Sequence, residues 1–170
     1  MTKHWFHSYL LQNYSKNKKF ALDVGCAMRP YHDDYRCKYI GLDLPTRTYD
    51  NLKPDIFAEG SKLPFQDNMF DLLVSYAVIP YVIHIDQFLD EMHRVLKPNG
   101  VSIIIIMNLR GLALHPTTDF KNRYSSAMLN QKLKEHKFKS IIGKNIKSLL
   151  WSKYYDRTSV YAYSVVSPIK

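Results

Sequence analysis

Cysteine is scarce in this chain. Cys26 and Cys37 are the only two among 170 residues, and their spacing matches no metal-ligand set, so no metal site is expected. Two thiols in a chain of this length do not make a disulfide scaffold, and both fit a reducing compartment. Long apolar runs are missing as well. Charges interrupt each hydrophobic stretch well short of the roughly 20 residues a bilayer-spanning helix needs, which excludes membrane insertion. Met1-Thr2-Lys3-His4-Trp5 leads into a polar, aromatic stretch rather than an apolar segment with a small-residue cleavage site. A signal peptide is therefore not expected, and a cytoplasmic location is. Acidic residues are short too: 15 Asp and Glu against 24 Lys and Arg give a formal charge of +9. Nucleic acid is a possible partner on that ground, although a solvated basic face is the plainer meaning of charge alone. Much of the excess lies at Lys16, Lys18 and Lys19 and in the run from Lys121 to Lys153.

What is present is the composition of one folded domain, with 46% hydrophobic and 23% charged residues. Its length is large enough to bury a core and too small to make a second domain expected. There is no internal repeat, low-complexity tract or interdomain linker. The single domain over residues 1–170 divides into an N-terminal helix (1–17), a half ending at residue 107 (18–107) and a second half (108–170).

Phe20-Ala21-Leu22-Asp23-Val24-Gly25-Cys26-Ala27 is the stretch around which the chain is organised. It reads as a buried parallel strand that turns at a glycine able to take the backbone angles of a tight strand-to-loop turn. Eighteen positions beyond Gly25, the strand Tyr39-Ile40-Gly41-Leu42-Asp43 ends in a carboxylate. That is the spacing at which a nucleotide-binding α/β unit sets an acid on ribose hydroxyls. Glycine is thin here: Gly25 stands alone where two or three glycines are usual.

Before the first strand, residues 4–15 read as a helix whose apolar face carries Trp5, Phe6, Tyr9, Leu10 and Tyr14. After it, Met28-Arg29-Pro30-Tyr31 opens a segment with room for about two helical turns before Lys38. Residues 43–54 carry loop chemistry, so a crossover helix is not expected there. Asp55–Ala58 is a short strand and Met69–Ser75 a fourth. Residues 86–97 form the clearest helix, with Phe88, Leu89, Met92, Val95 and Leu96 inward and Asp90, Glu91, Arg94 and Lys97 outward, stopped by Pro98-Asn99-Gly100. Val101–Met107, with four consecutive isoleucines, reads as a central strand whose neighbours are parallel. Residues 108–123 look irregular. A helix over 125–136 turns Met128, Leu129 and Leu133 inward, and Phe138–Ile142 and Ser159–Val166 are two last strands joined by a basic loop with Trp151, Tyr154 and Tyr155. The pattern predicts an α/β fold, a Rossmann-like, mostly parallel seven-stranded sheet with an antiparallel last strand and helices on both faces, reduced on one side. Asp23, Gly25, Asp43, Glu59, Ser75 and Met107 fall at or beyond strand carboxyl ends, where such sheets bind ligands.

Taken in order, Leu22-Asp23-Val24-Gly25-Cys26, Ile40-Gly41-Leu42-Asp43, Leu63-Pro64-Phe65, Asn68 to Ser75, and Phe88 to Gly100 resemble the class I S-adenosylmethionine-dependent methyltransferases. The likeness is to the large group with a Leu-Pro-Phe loop and a Leu-Lys-Pro-Gly-Gly turn. It covers residues 20–107 and loosens beyond. The resemblance implies S-adenosylmethionine as cofactor, with the Gly25-Cys26-Ala27 turn under its methionine part and Asp23 helping to hold the ammonium. Asp43, followed by Leu44, would take the ribose hydroxyls, Glu59 the adenine amino group, and the Gly60 N–H a ring nitrogen. Ser75 and Tyr76 would border the sulfonium and the acceptor. Glu59 and Asp71 are also open to a plain reading as loop or strand-end charges.

The chain departs from the family's Gly-Cys-Gly-x-Gly in carrying Gly25-Cys26-Ala27-Met28-Arg29. Arg29 has two readings, a partner for the cofactor carboxylate or an arginine pointing to solvent, which is its ordinary state. No catalytic residue is assigned. If the acceptor is a hydroxyl, His84, His115 or Tyr81, the last where a histidine is frequent, are the candidate bases, although His84 also reads as a surface residue. The expected function is methylation of a small molecule, such as a sugar or metabolite, the Pro-Tyr after the turn resembling a subgroup linked to sugar modification. An RNA or protein methyltransferase is the second reading, from the basic aromatic region 144–157. A non-catalytic binding or scaffold protein is a third, from the thin glycine turn, and an NAD-dependent oxidoreductase fits least because the third glycine is missing. The oligomeric state and the methyl acceptor are not legible.

Overall fold

The computed structural model describes residues 5–45, 53–107, 109–114, 119–140 and 161–170. His115, the loop with Trp151, Tyr154 and Tyr155, and Ile141 and Ile142 of the sixth expected strand lie outside the described residues, as does the stretch from Thr46 to Leu52.

Helix α1 (Trp5–Ser15) leads into β1 (Phe20–Val24), a single 3-10 turn (His32–Asp34) and β2 (Lys38–Asp43). Then come β3 (Ile56–Phe57), β4 (Phe70–Tyr76), a second 3-10 turn (Ile79–Tyr81), α2 (Ile85–Val95) and β5 (Leu96–Met107). Helices α3 (Leu109–Leu114) and α4 (Ser126–Glu135) precede β6 (Phe138–Ser140) and β7 (Tyr161–Pro168). The strands form one sheet in the order β3-β2-β1-β4-β5-β7-β6. The pairs from β3 to β5 are parallel, and β7 runs antiparallel to both β5 and β6.

The isoleucine-rich β5 thus has one parallel neighbour, β4, and one antiparallel neighbour, β7, not two parallel ones. Continuous apolarity reports cover on both faces, not strand direction, and here layers on both faces supply it. Strand pairing also begins earlier than expected, with Leu96 opposite Phe70 before a register shift to Leu72 opposite Val101.

Alternation along the strands divides the core in two. Leu22, Leu42, Leu73, Ile104 and Ile106 face α2 and α4, meeting Phe88, Leu89, Met92, Leu129 and Leu133. Ala21, Leu72, Val74, Ile103 and Ile105 face α1, meeting Phe6, Leu10, Leu11, Tyr31 and Tyr35. On the α1 side the chain between β1 and β2 supplies only a 3-10 turn, and tyrosine rings fill the space.

Three details differ from the sequence reading. Tyr9 is 41% exposed, because the buried stripe of α1 is Phe6, His7, Leu10 and Leu11 and Tyr9 falls on the far side of a 3.6-residue repeat. Met128 is 51% exposed while Leu129 and Leu133 are buried; the i, i+4 pair defines the inner face. Residues 109–114, expected to be irregular, form α3 with Leu112 buried. Six residues around a glycine are too few for a periodic signal.

Candidate functional site

Asp23 opposes Gly41 in the β1–β2 ladder, and Asp43 follows one residue past the last pair. Both acids therefore stand at the same edge of the sheet, on its α1 face. Between them in sequence runs the turn after β1. Gly25 has φ +80, and an ideal Cβ there would lie 2.1 Å from Val78 Cγ2. Glycine is required at this position twice over, by backbone and by space. Its N–H and that of Cys26 both donate to the Leu42 carbonyl, at 2.7 and 3.0 Å.

Ala27 and Arg29 stand where the family pattern has its second and third glycines, and they keep the left-handed backbone, with φ 48 and 53. Both residues thus hold a backbone that glycine takes freely, at a strain of roughly 1–2 kcal/mol for each. Asp43 helps to hold that shape: its Oδ2 accepts the Ala27 N–H and its Oδ1 the Leu44 N–H, both at 2.7 Å. Each oxygen retains a second lone pair for an incoming hydroxyl.

Asp23 is 7% exposed. Its Oδ2 accepts the Tyr39 hydroxyl at 3.3 Å, and its Oδ1 is buried without a hydrogen-bond partner. Burial pushes this carboxyl up to about 7; the Tyr35 and Tyr39 hydroxyls and the Arg29 charge work against the rise, and the Asp43 charge adds to it. Burial, with the charges of Asp23 and Asp43, also pushes the Cys26 thiol up to about 12. Cys26 is thus a neutral packing group rather than a nucleophile. Among the described residues, five buried side-chain polar atoms lack a partner, and three of them, Asp23 Oδ1, Arg29 Nε and Tyr35 Oη, cluster under this turn. Buried polar atoms are normally satisfied; of these three, the Tyr35 hydroxyl faces the Asp23 carboxyl and favours its charged form.

Arg29 does not point to solvent. Its Nη1 pairs with Asp55 Oδ1 at 2.8 Å, and its guanidinium lies 4.8 Å from the Tyr39 ring centroid. Asp55 Oδ2 in turn accepts the Gly41 N–H at 2.7 Å. The shape of the turn releases this side chain inward, which composition alone does not reveal.

The remaining expected residues are spread along the same edge. Glu59 is exposed, and its Oε1 accepts the Ser61 hydroxyl at 2.7 Å. Gly60 backs onto the Phe88 ring and Val24, leaving no room for a side chain. Leu44 and Phe57 are exposed apolar residues beside Asp43 and in β3. Ser75 is fully buried, with its Oγ unpartnered. Tyr76 meets His7 and Tyr31 edge-on, with ring centroids 4.3 and 5.8 Å away, and His7 Nδ1 lies 3.1 Å from the Tyr31 hydroxyl. His7 was not a sequence candidate; its place on the buried stripe of α1 was the available signal. Tyr81 is 40% exposed with its ring 5.5 Å from Phe120. His84 is exposed at the N-cap of α2 and makes no side-chain cap.

Glu91, Arg94 and Lys97, read as lying opposite the apolar face, are all engaged. Arg94 donates to the carbonyls of Leu63 and Phe65 at 3.0 and 2.7 Å, to Asp67 at 2.8 Å and to Glu91 at 2.6 Å. Glu91 accepts the Leu63 N–H at 2.7 Å. The Leu-Pro-Phe loop and the Arg-Val-Leu-Lys-Pro segment are two halves of one clamp. Asp71 is structural: it accepts the N–H groups of Lys19 and Phe20 and pairs with Lys97 at 2.9 Å.

Residues 22–104 match the family model described as a methyltransferase domain. An uncharacterised protein of Methanocaldococcus jannaschii is 32% identical over 106 residues, 59% of this chain and 47% of that one. The mitochondrial 2-methoxy-6-polyprenyl-1,4-benzoquinol methylase of Bos taurus is 51% identical over 45 residues, 26% of this chain and 14% of that one. The chain thus spans less than half the length of either relative. A solved S-adenosylmethionine-dependent methyltransferase from Clostridium acetobutylicum superposes with a TM-score of 0.70 at 14% identity, over 98% of this chain and 89% of that one. Among the described residues no helix is long and apolar enough to cross a membrane. Residues 22–104 thus match a methyltransferase domain, and the strand order agrees with the fold of the solved S-adenosylmethionine-dependent methyltransferase.

Proposed function

We propose that this chain binds S-adenosylmethionine at the β1–β2 edge and transfers its methyl group to a small-molecule acceptor such as a sugar or other metabolite. The observation that carries the reading is the buried Asp23 Oδ1, which makes no hydrogen bond, beside a turn that is left-handed at Gly25, Ala27 and Arg29. Asp23 meets the ammonium, Asp43 the two ribose hydroxyls through its free lone pairs, and Glu59 the adenine amino group. The Gly25-Cys26-Ala27 turn and the Gly60 N–H line the remainder, Leu44 lies against the base, and Ser75 and Tyr76 lie toward the methyl. The cofactor supplies a methyl carbon made electrophilic by its sulfonium. The protein supplies alignment, holding the acceptor atom in line behind that carbon and keeping water out, which accounts for most of the rate gain in such transfers. For a hydroxyl acceptor, Tyr81 and His84, both on the β4–α2 connection, are the described candidates to take the proton.

Calorimetric titration with S-adenosylmethionine, S-adenosylhomocysteine and NAD, on the wild type and Asp43→Ala, tests the reading. Micromolar binding of both sulfur nucleotides and none of NAD is expected, weakened at least tenfold in the variant. Absence of binding in the wild type would sink the enzyme reading.

A further inference from the structure

The turn residue Arg29 replaces a glycine, yet its side chain is not spare. Its guanidinium is held from one side by Asp55 at 2.8 Å and lies over the Tyr39 ring at 4.8 Å. Tyr39 runs along β2 toward β1, where its hydroxyl reaches Asp23 Oδ2 at 3.3 Å. Gly41, two residues on, leaves the space: an ideal Cβ there would lie 2.8 Å from the Tyr39 hydroxyl and 2.9 Å from Cys26 Sγ. Asp55, Arg29, Tyr39 and Asp23 thus form one chain of contacts across the edge of the sheet. It ends on Asp23 Oδ2, while Oδ1 makes no hydrogen bond and the Tyr35 hydroxyl also faces the carboxyl.

We propose that Arg29 is a positioning residue acting through Tyr39, which fixes the Asp23 carboxylate with Oδ1 turned toward the ammonium of the bound cofactor, and that cofactor binding is thereby coupled to a proton. This rests on the cofactor reading above and goes beyond it, because Arg29 touches Asp55 and Tyr39 rather than the reacting atoms.

The charges around Asp23 give the coupling its sign. Tyr39 and Asp43 face it from β2, Tyr35 from the segment before β2, and Cys26 and Arg29 from the turn. Its ladder partner on β4 is the apolar Val74. With burial raising Asp23 to about 7, a neutral acid meets an incoming ammonium below that pH, and binding there must expel a proton. Affinity therefore falls as pH drops below about 7, by up to about tenfold per unit. Arg29 and the Tyr39 hydroxyl both favour the charged carboxylate, so losing either moves the profile to higher pH.

The test is the dissociation constant of S-adenosylhomocysteine by calorimetry from pH 6.0 to 8.5, for the wild type, Arg29→Gly, Arg29→Lys and Tyr39→Phe, with thermal unfolding of each. Glycine is the residue best suited to the backbone at position 29, so Arg29→Gly is expected to fold. The expected result is a wild-type profile that levels off above about pH 7, and a shift upward of about half a unit or more in Arg29→Gly and Tyr39→Phe. Arg29→Lys should restore the profile only in part, since lysine has neither the planar stack nor the fork. A profile identical in all four proteins, or tighter binding by Arg29→Gly, overturns the inference and leaves the cofactor site standing. No binding by the wild type at any pH overturns the cofactor reading itself.

Discussion

The face of the sheet under α2 and α4 is closed by hydrocarbon, and the face under α1 by rings and polar groups. On the first, Phe88, Leu89 and Met92 are sealed against Leu22, Leu73 and Ile104, and the charged groups of α2 sit outside, tying down the Leu-Pro-Phe loop. On the second, Asp23, Asp34, His7 and Ser15 are buried together with Tyr31 and Tyr35. Asp34 alone takes hydrogen bonds from Ser8 at 2.9 Å and Gln12 at 3.0 Å, binding α1 to the turn after β1. The first face is held mainly by apolar packing, and the second by rings and by hydrogen-bonded polar groups as well. The buried polar atoms without a partner among the described residues divide between the faces: Asp23 Oδ1 and Tyr35 Oη lie on the second, and Ser75 Oγ and Ser102 Oγ, by strand alternation, on the first.

Three substitutions probe that division. Leu89→Ala, at a site with no exposure, should destabilise by about 2–5 kcal/mol in denaturant titration, while the folded protein keeps its affinity for S-adenosylhomocysteine. A matching loss of affinity would mean that the faces are not separable. Asp23→Asn acts in the opposite sense. The folded-state value of Asp23 lies above the unfolded one, so its contribution to stability is complete below about pH 4 and is lost as pH rises through about 7. The neutral amide escapes that loss, so the variant should gain on the wild type by on the order of 2–4 kcal/mol between pH 4 and pH 8. It should also bind cofactor more weakly, and a stability difference independent of pH would contradict the burial of this carboxyl. Arg94→Ala, the smallest of the three, should cost about 2 kcal/mol through its charge-assisted hydrogen bonds. Hydrogen exchange at the Leu63 amide should rise with it, and Arg94→Lys should not rescue, because one ammonium cannot serve the Leu63 and Phe65 carbonyls, Asp67 and Glu91 together.

The hydrocarbon face was the more legible in the sequence. Helix α2 repeats its apolar residues over three turns, and that signal led to nearly correct bounds and to the correct inner face. Strands β1 and β2 announced themselves by apolar runs ending in acids. The ring-lined face was read less well: Tyr9 was assigned the wrong surroundings, and of the two readings of Arg29 the solvent one did not hold. A tyrosine or an arginine suits both inside and outside, and only tertiary neighbours choose. Arg94 does lie opposite the apolar face, but its partners were not foreseen: periodicity says that a residue faces away from the core, not that a loop comes to meet it. The neighbours of β5 were misjudged because apolarity encodes cover and is silent on direction. Within the site, Asp23, Gly25 and Asp43 were found by position along the strands. The strand of contacts from Asp55 to Asp23 has no sequence signature, since its four members are joined only when β1, β2 and β3 lie side by side.

The place of β7 has a consequence for the order in which the protein is made. It lies between β5 and β6, yet both are synthesised before it. While a ribosome adds the chain between Met107 and Tyr161, neither the isoleucine-rich edge of β5 nor β6 has its native sheet partner among the described residues. An exposed apolar strand edge is a template for pairing with other chains. The sheet is therefore completed by insertion rather than by growth at its rim, and the interval before that insertion is when a nascent copy is most open to association with its neighbours.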